Sequence, residues 1–506
     1  MSDSQDSQQP EPRAQAGAPA HSRFYQWLSP LVFLASNPIS LLGVVLVTTA
    51  TVLWVFLLPT LLAHNTSNPY LGIPAFLMLP GVFIFGLALI PLGIVLRRRS
   101  RQRQGLSVTS IPDLRLDSPQ LRQVLGFIAV ASIANVIIVS QWGYSAVNYM
   151  ETGQFCGLSC HVMQPEYTSW VDSPHARVEC AECHIGPGAS WFVRSKLAGV
   201  GQVFAVAFNT YSRPIPSPVE NLRPARETCE HCHWPARFSG DQFSVRTAYA
   251  PDETNTASST VLLLKVGGRN WRGNLGIHGV HTDATAKMVY TATDGHRQVI
   301  PQVIYTAPDG KVTVYNSTSA KATAADLQKG EERTMDCVDC HSRPTHSFQL
   351  PEKAVDAAME KGQISPDLPF IKREAVAALK RTYAGRDTAV REIGASLDKF
   401  YQTNYPQVYS SNATKVKSAS EGVQAIYLRN IFPDMKVTWG LYPNNLGHTD
   451  FPGCFRCHDG DHTSADGRSI PNDCATCHDL LAVDEKDPKV LSDLGYHKGG
   501  GAGGGQ

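Results

Sequence analysis

The longest apolar runs of this chain all fall before residue 142. Residues 39–63 and 71–96 carry no charged side chain, and each exceeds the about 20 residues a helix needs to cross a bilayer. A third run, 122–141, is apolar from Val124 onward and leads into Trp142, Tyr144 and Tyr149, which reads as an aromatic belt at a membrane surface. The pattern predicts three transmembrane helices within residues 38–143. Arg97, Arg98, Arg99, Arg101 and Arg103 follow the second run directly, whereas the loop His64 to Tyr70 after the first is uncharged. Positive charge marks the cytoplasmic side. The loop 97–121 and the N-terminus are therefore expected inside, and everything after the third run outside. The first run begins too late and is too long for a cleaved signal peptide.

Beyond residue 143 the texture changes repeatedly. Residues 144–240 are short on strand signals. Residues 241–325 alternate β-branched and aromatic with polar positions, as in Val261 to Val266 and Val312 to Tyr315, and Asp294/Gly295 and Asp309/Gly310 mark turns. A small antiparallel β insertion is predicted there. Within 326–430 the stretch from Ala354 to Asn430 turns helical, interrupted by Pro366, Pro369 and Pro406. Residues 431–496 form a compact C-terminal module. Residues 1–37 are a disordered and interfacial N-terminus: residues 1–20, rich in Gln, Ser, Pro and Ala, read as disordered, and Phe24, Tyr25, Trp27, Leu28 and Leu31 as an interfacial helix or the flank of the first span; the tail 497–506 reads as disordered.

Cysteine usage supplies the chemistry. Twelve cysteines occur, all in pairs that run into a histidine. Five read CxxCH: Cys180/Cys183/His184, Cys229/Cys232/His233, Cys337/Cys340/His341, Cys454/Cys457/His458 and Cys474/Cys477/His478. The sixth, Cys156/Cys160/His161, has one more spacer residue. Two thiols at this spacing can add to the two vinyl groups of a haem, leaving the next histidine to ligate the iron. Zinc would use paired CxxC motifs without needing that histidine, and a disulfide across two residues is a redox geometry. Six covalent haem c groups are expected, in an oxidising space outside the cytoplasm. The net charge of +1 leaves no nucleic-acid footprint. The fold class predicted is a membrane-anchored multihaem cytochrome c. It has three transmembrane helices and a periplasmic haem domain, mainly α and irregular, with the small β insertion.

Each motif supplies one axial histidine, and a pure electron carrier closes the opposite face with a second ligand. Histidines outside the motifs are His175, His231, His278, His281, His296, His346, His448, His462 and His497, besides those at the N-terminal end. The preferred distal set is His175, His278, His346, His448 and His462, with His281 in reserve. Met163 stands two residues past His161, either as a core methionine or as a thioether ligand.

The stretch from about Gly126 to Trp234, with CHVM, SPHARVECAECH and ETCEHCH, resembles the NapC/NirT/NrfH family of membrane-anchored quinol dehydrogenases. CVDCHSRPTH and GHTDFPGCFRCHDGDH are similar to the longer, three-span ImcH-type inner-membrane members. The resemblance implies that Met163 ligates the first iron and His175 is a distal ligand. It also implies a lysine and an acidic residue at a quinol site beside the first haem. Lys196 matches the lysine; the acidic position falls near Gln202 or Val203, and no Asp or Glu lies between His184 and Glu220. The implied function is oxidation of membrane quinol, with menaquinol as the expected donor, and delivery of electrons to periplasmic cytochromes or reductases. The alternative is a conduit subunit of a larger complex without its own quinone site. No motif carries the lysine-for-histidine change that would mark a haem enzyme acting on nitrite or hydroxylamine.

Overall fold

A computed structural model describes residues 37–62, 78–105, 137, 140–219, 222–235, 238–268 and 275–496. The chain divides into two compact units, Met1–Met150 and Glu151–Gln506. The sequence expectations for residues 1–36, for most of the third apolar run and for the tail 497–506 lie outside the described residues.

In the first unit two helices, α1 (Pro38–Leu62) and α2 (Leu79–Arg103), are long and apolar enough to cross a membrane. Asn37 starts α1 by accepting from the Ser40 backbone N–H at 2.9 Å, the usual N-cap contact. The two helices approach closely because glycines face each other: a Cβ on Gly43 would lie 2.6 Å from the Gly86 carbonyl oxygen. The Ser40 hydroxyl donates to the Ile90 carbonyl at 2.8 Å across the same seam. The second apolar run is shifted from its predicted bounds, since α2 continues through Arg97 to Arg103 and ends at Gly105 with φ +68°. Arginine is a good helix former, so the cluster forms the last turns of a helix instead of opening the loop 97–121. Residues 140–150 are helical. Trp142 is buried and stacks on Trp54 at 4.4 Å between ring centres, so it takes part in the packing of this unit. Tyr144 stays exposed.

The second unit opens with α3 (Gln164–Val171) and α4 (Ala189–Ala207). Strands β1 (Gln242–Tyr249) and β2 (Ala257–Leu264) form an antiparallel hairpin with Val245 opposite Val261. A short helix, α5 (Ile277–His281), precedes β3 (Lys287–Ala292), β4 (Gln302–Thr306), β5 (Val312–Ser317) and β6 (Glu331–Thr334). Gly310, with φ +82°, closes the β4–β5 turn by donating its N–H to the Ala307 carbonyl, as Asp-Gly predicts.

The β region is not the single self-contained sheet expected for 241–325. Two sheets form, and both are completed from the C-terminal module, by β7 (His462–Ser464) and β8 (His478–Glu485). The orders are β1-β2-β8 and β6-β3-β4-β5-β7, antiparallel throughout.

Helices α6 (Pro351–Glu360), α7 (Ile371–Leu379), α8 (Arg386–Asn404) and α9 (Ala413–Asn430) pack around the largest apolar core. Val355, Ile371, Ile393, Leu397, Val416 and Val423 are fully enclosed there. Pro366 and Pro369 lie between α6 and α7, where no helix needs their missing N–H. Asn255, at the β1–β2 turn, donates to the Pro366 and Leu368 carbonyls and accepts from the Lys372 N–H, fixing the first sheet to this bundle.

Candidate functional site

Three of the six cysteine pairs sit wholly on one tight helical turn. Cys180–His184, Cys337–Cys340 and Cys474–Cys477 are single turns, whereas Cys454 lies within the 3₁₀ turn Gly453–Arg456 and Cys457 follows its end. The His233, His341 and His458 N–H groups donate back to the first cysteine of their motif at 2.7, 2.8 and 3.0 Å. Residues three apart on a helical turn share a face, so both thiols present to one side. The pair Cys229/Cys232 departs in the same way as Cys454/Cys457. Its helix, Ala225–Cys229, stops at the first cysteine, so Cys232 lies beyond the helix end and is exposed. The Cys232 N–H nevertheless donates to the Cys229 carbonyl at 3.1 Å, an i to i+3 bond that keeps the two residues on one turn. The first motif uses a π-helical turn, Phe155–Ser159, whose wider coil accommodates the extra spacer residue. Gly157 is needed within it, because a Cβ there would lie 2.2 Å from the Tyr167 ring.

Opposite five motif histidines the fold sets a second imidazole from elsewhere in the chain. Ring centres are 5.9 Å apart for His233 and His175, 6.3 Å for His184 and His346, and 6.3 Å for His341 and His278. They are 5.9 Å apart for His458 and His281 and 6.3 Å for His478 and His448. An imidazole nitrogen ligates a transition metal at about 2 Å, so two imidazoles on opposite faces of one ion have ring centres roughly 6 Å apart. The five pairs fit an iron between them. Burial, the largest cause in each case, lowers the pKa of His184, His281, His341, His346 and His478, keeping them in the neutral form a metal requires.

Backbone carbonyls orient several of these rings. Nδ1 of His278 donates to Val266 O at 2.6 Å, that of His281 to Ile277 O at 2.8 Å, and that of His458 to Pro471 O at 2.6 Å. Nδ1 of His346 donates to Glu166 O at 3.0 Å, and the Glu166 carboxylate is held by Arg343 at 2.7 Å. With Nδ1 engaged, Nε2 is left for a metal.

His462 departs from the predicted distal set. It is 1% exposed, its Nε2 donates to the Ile300 carbonyl at 2.7 Å and its Nδ1 meets Asp459 Oδ1 at 3.0 Å, so neither nitrogen is left. The ring facing His458 is that of His281, the reserve residue. Proximity to Cys454 in sequence favoured His462, but the following residues turn it into β7 and inward.

The thiols reveal the spatial order of the motifs. Cys156 and Cys180 share a hydrogen bond, which brings Cys156 down to about 7 and pushes Cys180 up. Cys183 is raised by burial, next by Cys229 and more weakly by Glu182 and Cys232, so the second pair lies beside both thiols of the third. Cys229 and Cys337 hydrogen-bond each other, lowering the first and raising the second. Burial and then Cys454 raise Cys340 to about 11, and burial and then Cys454 raise Cys477. Neighbours in space are neighbours in sequence, from Cys156 to Cys477.

At the start of that series stands Lys196, on α4. Its ammonium lies 3.7 Å from Glu151 Oε1 and 4.9 Å from the Phe192 ring centre, and its charge contributes to lowering Cys156. Glu151 is the residue the sequence reading missed: the acid absent from α4 comes from five positions before the first motif. One face of α4 stays apolar and exposed through Val193, Leu197, Val200 and Phe204. Met163 ends the 3₁₀ turn His161–Met163. The described ring beside His161 belongs to Tyr211, whose hydroxyl is 3.5 Å from His161 Nε2.

A family model described as NapC/NirT cytochrome c family, N-terminal region, matches residues 118–215. Cytochrome c-type protein ImcH of Geobacter sulfurreducens is 40% identical over 447 residues, 88% of each chain. NrfH of Wolinella succinogenes is 30% identical over 91 residues, 17% of this chain and 51% of that protein. TorC of Escherichia coli is 28% identical over 129 residues, 22% of this chain and 32% of that protein. No solved structure matches.

Proposed function

The chain belongs to the NapC/NirT family of membrane-anchored, electron-transferring c-type cytochromes, and from that premise we propose that it oxidises membrane quinol and passes electrons to periplasmic acceptors. The proposal includes six haem c groups at the six cysteine pairs, an inner-membrane anchor of three spans, a cytoplasmic N-terminus and a periplasmic second unit. Covalently bound haem supplies one-electron redox chemistry. The observation that carries the reading is Lys196 paired with Glu151 beside Cys156.

The apolar face of α4 borders an approach from lipid. Lys196 donates to a quinol hydroxyl oxygen and holds the head group, and the Glu151 carboxylate accepts a hydroxyl proton as charge leaves the ring. Met163 and His175 keep the ligand roles that their motif positions suggest. His184 with His346, His233 with His175, His341 with His278, His458 with His281 and His478 with His448 would each supply two imidazole ligands to one haem iron, which would suit it to electron transfer and not to binding small molecules. The motif order would set the haems in one series, from the first site to the sixth.

The test mixes purified protein anaerobically with a menaquinol analogue. Lys196→Ala and Glu151→Gln variants with unaltered haem content are expected to lose at least about tenfold in reduction rate. Variants that are reduced at the full rate overturn this site. Failure of the unaltered protein to accept electrons from the analogue leaves the conduit reading in its place.

A further inference from the structure

Beside the first motif, on the His161 side, lies a cavity of about 540 Å³ that the quinol reading does not use. His161, Tyr211, Arg213, Arg386, Asp434 and Met435 are among the residues that line it. Its charge is unusual for a space so near the apolar cluster of Val162, Phe432 and Met435. Two guanidinium groups face one carboxylate. Asp434 is exposed and solvated, but Arg386 is not. Nη2 of Arg386 donates to the Leu428 carbonyl at 2.5 Å and its Cζ lies 4.3 Å from the Phe432 ring centre, while Nη1 is buried with no hydrogen-bond partner. Arg213 is fixed by Asn209 Oδ1 at 2.6 Å and by the Tyr211 hydroxyl, with its guanidinium 4.2 Å from that ring centre.

A half-buried cation with one enclosed, empty donor is costly unless an anion meets it, and planar guanidinium forks match carboxylates. A haem held at Cys156 and Cys160 brings two carboxylates with it, on the pyrrole edge away from its thioether bonds. We propose that Arg386 and Arg213 receive the propionate carboxylates of the haem at the first motif, and that their charge raises the reduction potential of that haem.

The sign follows from Coulomb's law. The oxidised iron carries one more positive charge than the reduced one, so carboxylates stabilise the oxidised form and guanidiniums that neutralise them favour the reduced form. Raising the potential of the entry site helps it accept the first electron, an outcome that rests on the proposed direction of flow. The arginine assignment itself rests only on haem attachment at Cys156 and Cys160.

Spectroelectrochemical titration of the purified full-length protein tests it, followed through the haem that lacks a second imidazole. Arg386→Gln is expected to shift that haem to lower potential, with Arg213→Gln shifting it the same way and Arg386→Lys restoring most of the unaltered value. The other haems should keep their potentials. Mass spectrometry of the peptide containing Cys156 and Cys160 reports attachment separately. If that peptide carries no haem, the six-haem reading fails; if it does and no potential moves in Arg386→Gln and Arg213→Gln, the inference fails alone. Equal movement of every haem also overturns it, as does a potential shift on adding inorganic phosphate, which would make the cavity an open anion site.

Discussion

An imidazole can hold a metal only through a free nitrogen, and His281 and His462 differ in that respect. His281→Ala is expected to convert one low-spin haem signal to high-spin in electron paramagnetic resonance. His462→Ala should leave every low-spin signal in place and lower stability by about 1–3 kcal/mol, because it strips a buried hydrogen bond from Ile300 and Asp459. A lost low-spin signal in His462→Ala would reverse the two assignments. At this scale the motif histidines were legible, since thioether attachment requires the two thiols and the imidazole on one short turn. The spacing did not reveal that the turn at Cys232 lies past a helix end, because CxxCH reads the same whether its turn belongs to a helix or follows one. The distal partners were legible only where no competing hydrogen bond existed: His175, His278, His346 and His448 face a motif ring, whereas His462 is captured by a strand whose pairing no local spacing encodes. Glu151 escaped for a related reason. Its partnership with Lys196 joins residues 45 positions apart, and an acid within α4 itself was the only place a local reading could look.

Among the elements, the four-helix core of α6 to α9 carries no cysteine pair and is built around apolar packing. Leu397 is 1% exposed there, so Leu397→Ala should cost about 2–5 kcal/mol, read as a fall in the thermal midpoint with the haem spectrum unchanged before melting. The junction of β5 with β7 depends on charge instead. Asp461 accepts from the Ser317 hydroxyl at 2.6 Å, the Ser319 N–H at 2.8 Å and the Thr318 hydroxyl, and these bonds hold its carboxyl below the ordinary range. A depressed carboxylate stabilises above its unfolded pKa of about 3.9 and loses that contribution as pH falls through the folded value. Thermal midpoints measured from neutral pH downward should therefore fall less steeply below about pH 4 in Asp461→Asn than in the unaltered protein. Period and turn chemistry made the individual helices and hairpins readable, including the Asp309/Gly310 turn. The run through Arg97 to Arg103 did not read as helix, because charge was taken to end an apolar segment although arginine prolongs a helix without strain.

For the whole molecule, the decisive property is that the cysteine pairs follow one another in space as they do along the chain. Under the proposed function the haems would form a single path without a bypass. A Cys337→Ala/Cys340→Ala variant, if it retains the other haems, should let quinol reduce only the sites before the fourth motif in a stopped-flow experiment, with the last two reduced far more slowly; prompt reduction of all remaining haems would show a branched arrangement. Sequence alone could suggest this order without establishing it, since it depends on contacts such as Asp336 accepting from the Ala225 N–H, which ties the third motif to the fourth. The division into an insertion and a C-terminal module was legible in outline only, because β7 and β8 are strands of the module that complete sheets of the insertion. That sharing bears on how the protein is made. The outer edge of β5 ends at Ser317 and waits for His462, a gap of about 145 residues that takes a ribosome roughly ten to thirty seconds at ordinary synthesis rates. Throughout that interval the strand edges stand open to unwanted pairing.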